Sequence, residues 1–322
     1  MASFLFLFFL PLLLIFRQFM TQHPAPWFKT KAPQLALLFM TLIWGGTFLI
    51  VQYGLNYSSP LFFVGCRFAA ASIAVGLLYF RHLKGIRLKD VIAGACIGAT
   101  IAAGYSTQTI GLQTISSSES AFLTALYVPL VPVLLWLIFR KSPNLMTWVG
   151  VILAFIGLIM LTGNGLGQLN FNFGQTITML GSIAIALEII LISFFSNKVD
   201  LAKVTVLQLG FASIICFAMM PIVGEHAPNE FSWILVAITV GLGLASAFIQ
   251  MVMNWAQRFV DPTQAAIIYA GEPVWAGIFG RIAGERLPFI ALLGGALVVF
   301  AVIISQLKPK FLKSKAVSKD LS

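Results

Sequence analysis

Apolar residues in this chain come in long unbroken runs rather than in alternation with polar ones. A membrane-spanning helix needs about 20 mainly apolar residues. Ten such runs lie near residues 34–54, 60–80, 88–110, 117–139, 145–163, 173–195, 201–221, 231–254, 262–282 and 287–306. The connectors at 56–60, 141–144, 163–167 and 225–229 are short and carry turn residues. A further apolar run, residues 4–16, is short for a span. It lacks the basic start and the small-residue cleavage site of a signal peptide. It reads as an interfacial segment, an eleventh span or a start-site artefact, since Met20 begins a plausible chain.

Composition sharpens this pattern into a class. Of the 322 residues, 59% are hydrophobic and 9% charged, with a mean hydropathy of +0.97. A soluble domain carries about 25% charged residues, so a secreted, nuclear or cytosolic soluble protein is excluded. The fold class is an all-α polytopic membrane protein.

The net charge of +10, from 20 Lys+Arg against 10 Asp+Glu, then gains a meaning from its placement. With a cytoplasmic N-terminus, the inner segments hold Lys29, Lys31, Arg81, Lys84, Arg87, Lys89, Arg140, Lys141, Lys198, Lys203 and Arg258. The tail adds Lys308, Lys310, Lys313, Lys315 and Lys319. The outer loops hold only Arg281 and Arg286. This bias predicts that both termini are cytoplasmic, and it makes nucleic acid an unneeded explanation for the basic charge.

An offset of 144 positions aligns two stretches without a gap: Gln113 on Gln257, Ala121 on Ala265, Pro129 on Pro273, Ile138 on Ile282, Gly150 on Gly294 and Leu153 on Leu297. The expected organisation is a leader and cytoplasmic segment (1–33), two five-helix repeats (34–163 and 164–306) and a basic tail (307–322). Five spans per repeat is an odd number, so the repeats run through the membrane in opposite senses. Such inverted repeats are a common architecture of secondary transporters, which bind substrate near the midplane.

Ionisable groups within the bilayer cost about 2.5–3.5 kcal/mol on insertion scales, so Arg67, Glu119, Glu188 and Glu272 each need a reason to be there. Ser116 and Glu119 have capping-box spacing. Glu188 has Ala184 and Ile192 one turn away and no polar neighbour there, so it must face the bundle interior, a cavity or a partner helix. Glu272 directly precedes Pro273, which frees the Tyr269 carbonyl. A kink beside a carboxylate suits a substrate cavity, and Pro129 and Pro132 form its weaker counterpart in the first half. Glu188 and Glu272 are the proton-coupling candidates, since a carboxylate out of water is costly to keep charged. Arg67 is expected to snorkel outward, to pair with a Glu, or to bind a substrate carboxylate.

A lining for that cavity is drawn from Trp44, Gln52, Tyr105, Gln108, Tyr127, Gln208, Gln250, Asn254, Tyr269 and Trp275. Tyr105 with Gln108, and Gln250 with Asn254, share helix faces. Gly94 with Gly98, and Gly241 with Ala245, read as helix-packing pairs. Residues 163–167 are Gly-rich but lead to no lysine, so they form a loop and not a phosphate-binding one. Cys66, Cys96 and Cys216 read as small buried hydrophobes. His23, His82 and His226 lie outside the spans, and no nucleophile, base or metal set is visible. The chain is expected to be no enzyme and to need no metal or cofactor.

Several stretches then resemble the drug/metabolite transporter superfamily, EamA type. They are residues 42–48 (LIWGGTF), 63–68 (FVGCRF), 105–112, 121–123, 264–266, 272–275 (EPVW) and 284–287 (GERL). The first-half counterpart of the last motif reads Phe139-Arg140-Lys141-Ser142 instead. The resemblance implies ten helices in two inverted repeats around a central cavity, and export or uptake of small metabolites with or without protons. The reading is an inner-membrane exporter of amino acids or related solutes working by alternating access, its partners a small-molecule substrate and the lipid bilayer. A proton-coupled multidrug exporter is the alternative. A non-transporting membrane interaction protein, which predicts a closed, dry interior, is a third. Monomer and homodimer are both open.

Overall fold

The computed structural model describes residues 31–140, 145–161 and 171–305, together with Phe9, Pro11, Leu13 and Leu14. Most of the leader, the basic tail and the connectors at 141–144 and 163–167 lie outside the described residues. Of the leader, Phe9 and Leu13 are buried with the main apolar core.

Twelve α-helices and one 3-10 turn make up the described residues, with no strand among them. They are α1 (Ala32–Gly54), α2 (Pro60–Leu78), α3 (Leu88–Gly111), α4 (Ser117–Thr124), α5 (Tyr127–Phe139), α6 (Leu145–Leu161), α7 (Phe173–Phe195), α8 (Leu201–Val223), α9 (Trp233–Ala256), α10 (Pro262–Tyr269), α11 (Gly271–Ile282) and α12 (Phe289–Ser305). Their ends fall within two residues of the apolar runs. Seven segments are at least 18 residues long and apolar enough to cross a membrane, with α4 and α5 taken as one. The fifth and tenth runs give helices of 17 residues, α6 and α12. The ninth is divided into pieces of 8 and 12 residues, α10 and α11.

Start signals in the sequence are used as expected. Pro60 and Pro262 occupy first helical turns, where a missing N–H costs nothing. Asp200 and Asp261 cap α8 and α10 through their own side chains. Asn172 and Gln175 form a reciprocal capping box on α7. The box expected at Ser116 and Glu119 is only half made. Ser116 Oγ accepts from Glu119 N, but the Glu119 carboxylate turns away to accept from Gln175 Nε2 of α7 at 2.6 Å.

The prolines do more than kink their spans. Between α4 and α5 the chain tightens: Val128 N donates to Ala125 O at 3.0 Å, because Pro129 has no N–H to reach that carbonyl. The second interruption lies between Tyr269 and Gly271, ahead of Pro273. The residues that open the second piece, Leu126 and Ala270, are 144 positions apart.

Helix contacts are close where small residues face backbone. A Cβ on Gly98 of α3 would lie 2.6 Å from the Gln208 carbonyl oxygen of α8, so the Gly94/Gly98 pair sets the α3–α8 spacing. On α9 a close approach is made by Gly243 against α2. α1 packs on α9 and α11, α7 on α3 and α5, α3 on α8, and α9 on α2. α6 and α12 pack chiefly on each other. The outward faces carry large apolar side chains such as Ile73, Leu77 and Ile222, which in a bilayer meet lipid. Of the cysteines, Cys216 is buried, Cys66 is half-buried and Cys96 is exposed on α3, correcting the expectation that all three are buried.

Candidate functional site

Helix α1 brings Trp44 to the middle of the bundle, with no solvent exposure. Its indole lies nearly parallel to the rings of Tyr105 from α3 and Tyr127 from α5, each with centroids 6.4 Å away. Tyr269, the last residue of α10, meets it edge-on at 5.9 Å. Both helix interruptions therefore present a tyrosine to the same indole: Tyr127 opens α5 and Tyr269 closes α10.

The carboxylates join this aromatic group. Tyr127 donates to Glu272 Oε2 at 3.0 Å. Glu272 sits in the first turn of α11, just past the break, so the break aims it inward. Glu188 of α7 accepts from Gln250 Nε2, and Gln250 Oε1 accepts from Gln208 Nε2, both at 2.8 Å. This relay crosses three helices, α8, α9 and α7. Glu188 and Glu272 lie within electrostatic reach of each other, and Tyr105 within reach of both.

Arg67 does not snorkel. It is 1% exposed; its Nε donates to Ser246 Oγ of α9 at 2.7 Å, and its guanidinium carbon lies 5.2 Å from the centre of the Tyr105 ring. Nor does it pair with a Glu: among the described residues the ion pair within 4.0 Å is Arg87 with Asp90. Tyr105 thus stands between a buried guanidinium and two buried carboxylates.

Several polar atoms in the cluster find no hydrogen-bond partner among the described residues. They are Trp44 Nε1, Arg67 Nη2, Glu188 Oε2, Gln208 Oε1, Gln257 Oε1 and Glu272 Oε1. A buried polar group left unsatisfied costs about 1–3 kcal/mol, more if charged, so the set calls for a ligand, water or a second conformation.

The central side chains close on one another, each at most 5% exposed. Trp44, Tyr105, Tyr127, Glu188, Gln208, Gln250, Tyr269 and Glu272 come together, with Arg67 behind Tyr105. Four candidates do not join them. Gln108 donates to Thr124 Oγ1, Asn254 to Thr205 Oγ1 and Gln52 to the Ile115 carbonyl, each tying two segments together. Trp275 is half-buried against Phe279.

Ser246 and Gln257 escape a search for charged or aromatic residues. Gln257 donates to Tyr269 Oη at 2.9 Å and holds it toward Trp44. Its only sequence signal is its alignment with Gln113. Among the described residues no group of three or more His, Cys, Asp or Glu side chains can hold a metal ion.

A central polar cluster in a bundle of apolar helices matches what comparison with known proteins gives. The model of the EamA-like transporter family fits this chain twice, over residues 31–163 and 172–307. The chain belongs to the EamA-like transporter family. It is therefore a multi-pass membrane transporter, like the relatives it matches. An uncharacterized transporter of Archaeoglobus fulgidus is 30% identical, with 87% of each chain covered. The uncharacterized inner membrane transporter YedA of Escherichia coli K12 is 27% identical, over 90% of this chain and 96% of that one. A solved crystal structure 15% identical in sequence superposes with a TM-score of 0.64, over 88% of this chain and all of the other; it speaks for the fold alone.

Proposed function

We propose that this EamA-family protein is a secondary transporter that exports small zwitterionic metabolites, amino acids first among them, across the inner membrane by alternating access. Its ten spans form two inverted five-helix repeats with both termini cytoplasmic. The repeat reading is supported by the paired breaks at Leu126 and Ala270 and by the helix contacts: exchanging the first five spans with the last five maps the α1–α11 contact onto α7–α5, and α3–α8 onto α9–α2. The charge bias of the loops supports the orientation.

One observation carries the substrate class. An unpaired Arg67 Nη2 and unpaired oxygens of Glu188 and Glu272 are buried around one aromatic group. A carboxylate suits the first, and an ammonium the others together with the ring faces. An amino acid brings both charges and adds no net charge to the bundle. Closed packing is the state expected between openings to the two sides, so it does not favour a non-transporting role in a chain of this family.

Proteoliposomes preloaded with a panel of unlabelled amino acids should show counterflow of at least one labelled member. Absence of flux across the whole panel overturns this reading. The nearness of Glu188 to Glu272 favours proton-coupled export of cationic drugs as the second reading. There, Glu188→Gln should abolish both drug resistance and proton exchange, and drug export that survives the substitution excludes it.

A further inference from the structure

A groove of about 710 Å³ runs between α4, α11 and α12 on the outward face of the bundle. Its walls are apolar: Phe122 from α4, Gly277 and Ile278 from α11, Leu292, Gly295 and Val299 from α12. Gly277 opens the depression, whereas the space at Gly295 is filled by the Phe122 ring. A Cβ on Gly277 would meet only the tip of Phe122, at 3.6 Å. Along α12 the lining runs from Leu292 to Val299, about 10 Å of helix at 1.5 Å per residue, which fits within one leaflet of a hydrocarbon core of roughly 30 Å.

One end of this groove is charged. Arg281, in the last turn of α11, lines it and is exposed; Arg286 is exposed five residues on. Neither takes part in an ion pair among the described residues. The carboxylate between them, Glu285, is already engaged: it accepts from the backbone N–H and the hydroxyl of both Ser117 and Ser118. Arg281 and Arg286 are also the two cations that stand against the charge bias of the loops. The groove therefore offers an apolar bed that ends at Arg281, with exposed Arg286 five residues further along the chain.

We propose that this groove holds one anionic membrane phospholipid, with an acyl chain lying on Phe122 and Gly277 and its phosphate held by Arg281 and Arg286. The transported zwitterion is a poor occupant, because the apolar walls offer no buried unpaired carboxylate, and Trp44 and Glu272 are turned into the bundle. The inference stands apart from the substrate proposed above.

The test is competition of phosphatidylglycerol against phosphatidylcholine for the detergent-purified full chain, read as lipid bound per protein by native mass spectrometry. One bound phosphatidylglycerol should be preferred about 25-fold, roughly fivefold for each arginine near the headgroup. Arg281→Gln and Arg286→Gln should each remove about fivefold of that preference, and Gly277→Leu should lower binding of both lipids by filling the bed. The arginines are exposed, so their variants keep the test valid even if Gly277→Leu unfolds. Equal binding of the two lipids overturns the proposal, as does a preference unchanged in both arginine variants. Displacement of the lipid by excess glycerol phosphate would also overturn it, by reducing the groove to a soluble-anion site.

Discussion

Arg67→Met is expected to lower amino-acid counterflow at least 30-fold while leaving the thermal unfolding midpoint unchanged or raised. The guanidinium is buried, with a hydrogen bond to Ser246, ring contacts to Tyr105 and Phe68 and, among the described residues, no carboxylate within 4.0 Å. Desolvation of such a charge is only partly repaid by these contacts, and replacing buried ionic groups with apolar ones of similar volume is often neutral or stabilising. Methionine fills most of the stem without the charge. The substrate carboxylate, however, loses its guanidinium partner, and truncating one side of a buried charge pair costs about 2–5 kcal/mol, or roughly 30- to 5,000-fold. Arg67→Lys keeps the charge and loses the planar fork, so it should fall between. A static structural role predicts a different result: unfolding midpoint and flux would drop together. Retained flux in Arg67→Met would remove Arg67 from the substrate site.

Gly45→Ala is expected to do the opposite, destabilising the protein and lowering transport of every substrate alike. A methyl at residue 45 would lie 2.7 Å from the Glu272 carbonyl oxygen, 2.8 Å from Trp275 Cβ and 2.9 Å from Ala276 N. Two of these are backbone atoms of α11 and cannot rotate aside, so α1 and α11 must part. Overpacking of this kind costs about 1–3 kcal/mol. The displacement reaches the site directly, because Trp44 is the preceding residue and Glu272 holds the Tyr127 hydroxyl. Gly46→Ala is the control: its new carbon would first meet Phe279 Cε2 at 3.4 Å, the edge of a side chain that can move. Thermal unfolding of the two variants side by side should separate them clearly. Equal midpoints would show that the α1–α11 contact is looser than described.

Much of the helical framework was legible in the sequence because bilayer length and apolarity act residue by residue. The runs at 117–139 and 173–195 match the ends of α4–α5 and of α7. The candidate site was legible in part. Glu188 and Glu272 stand out since carboxylates are rare in such spans, and Trp44, Tyr105, Tyr127 and Tyr269 lie on the spans that converge with them. What the sequence hides is relative rotation. Trp275 follows Glu272 by three residues on the same helix, α11, a step about 60° short of a full turn, and that rotation leaves Glu272 on Tyr127 and Trp275 half-buried beside Phe279. Arg67 escaped for another reason: snorkelling depends on whether a long side chain finds a closer partner, and Ser246 of α9 is 179 residues away. Residues such as Gln257 carry no local signal at all, because their role is to hold another side chain.

The four hydrogen bonds onto Glu285 also give the molecule a direction. The first turn of α4 is held by a carboxylate from the loop beyond α11, whereas the first turn of α10 is held by Asp261 of its own chain segment. Parting the two broken spans at the Ser117 end breaks an inter-segment cap; parting them at the Asp261 end leaves the cap travelling with its helix. The two ends are therefore unequal in the work needed to separate them. In the alternating-access scheme proposed above, opening the Ser117 side must first break this inter-segment cap.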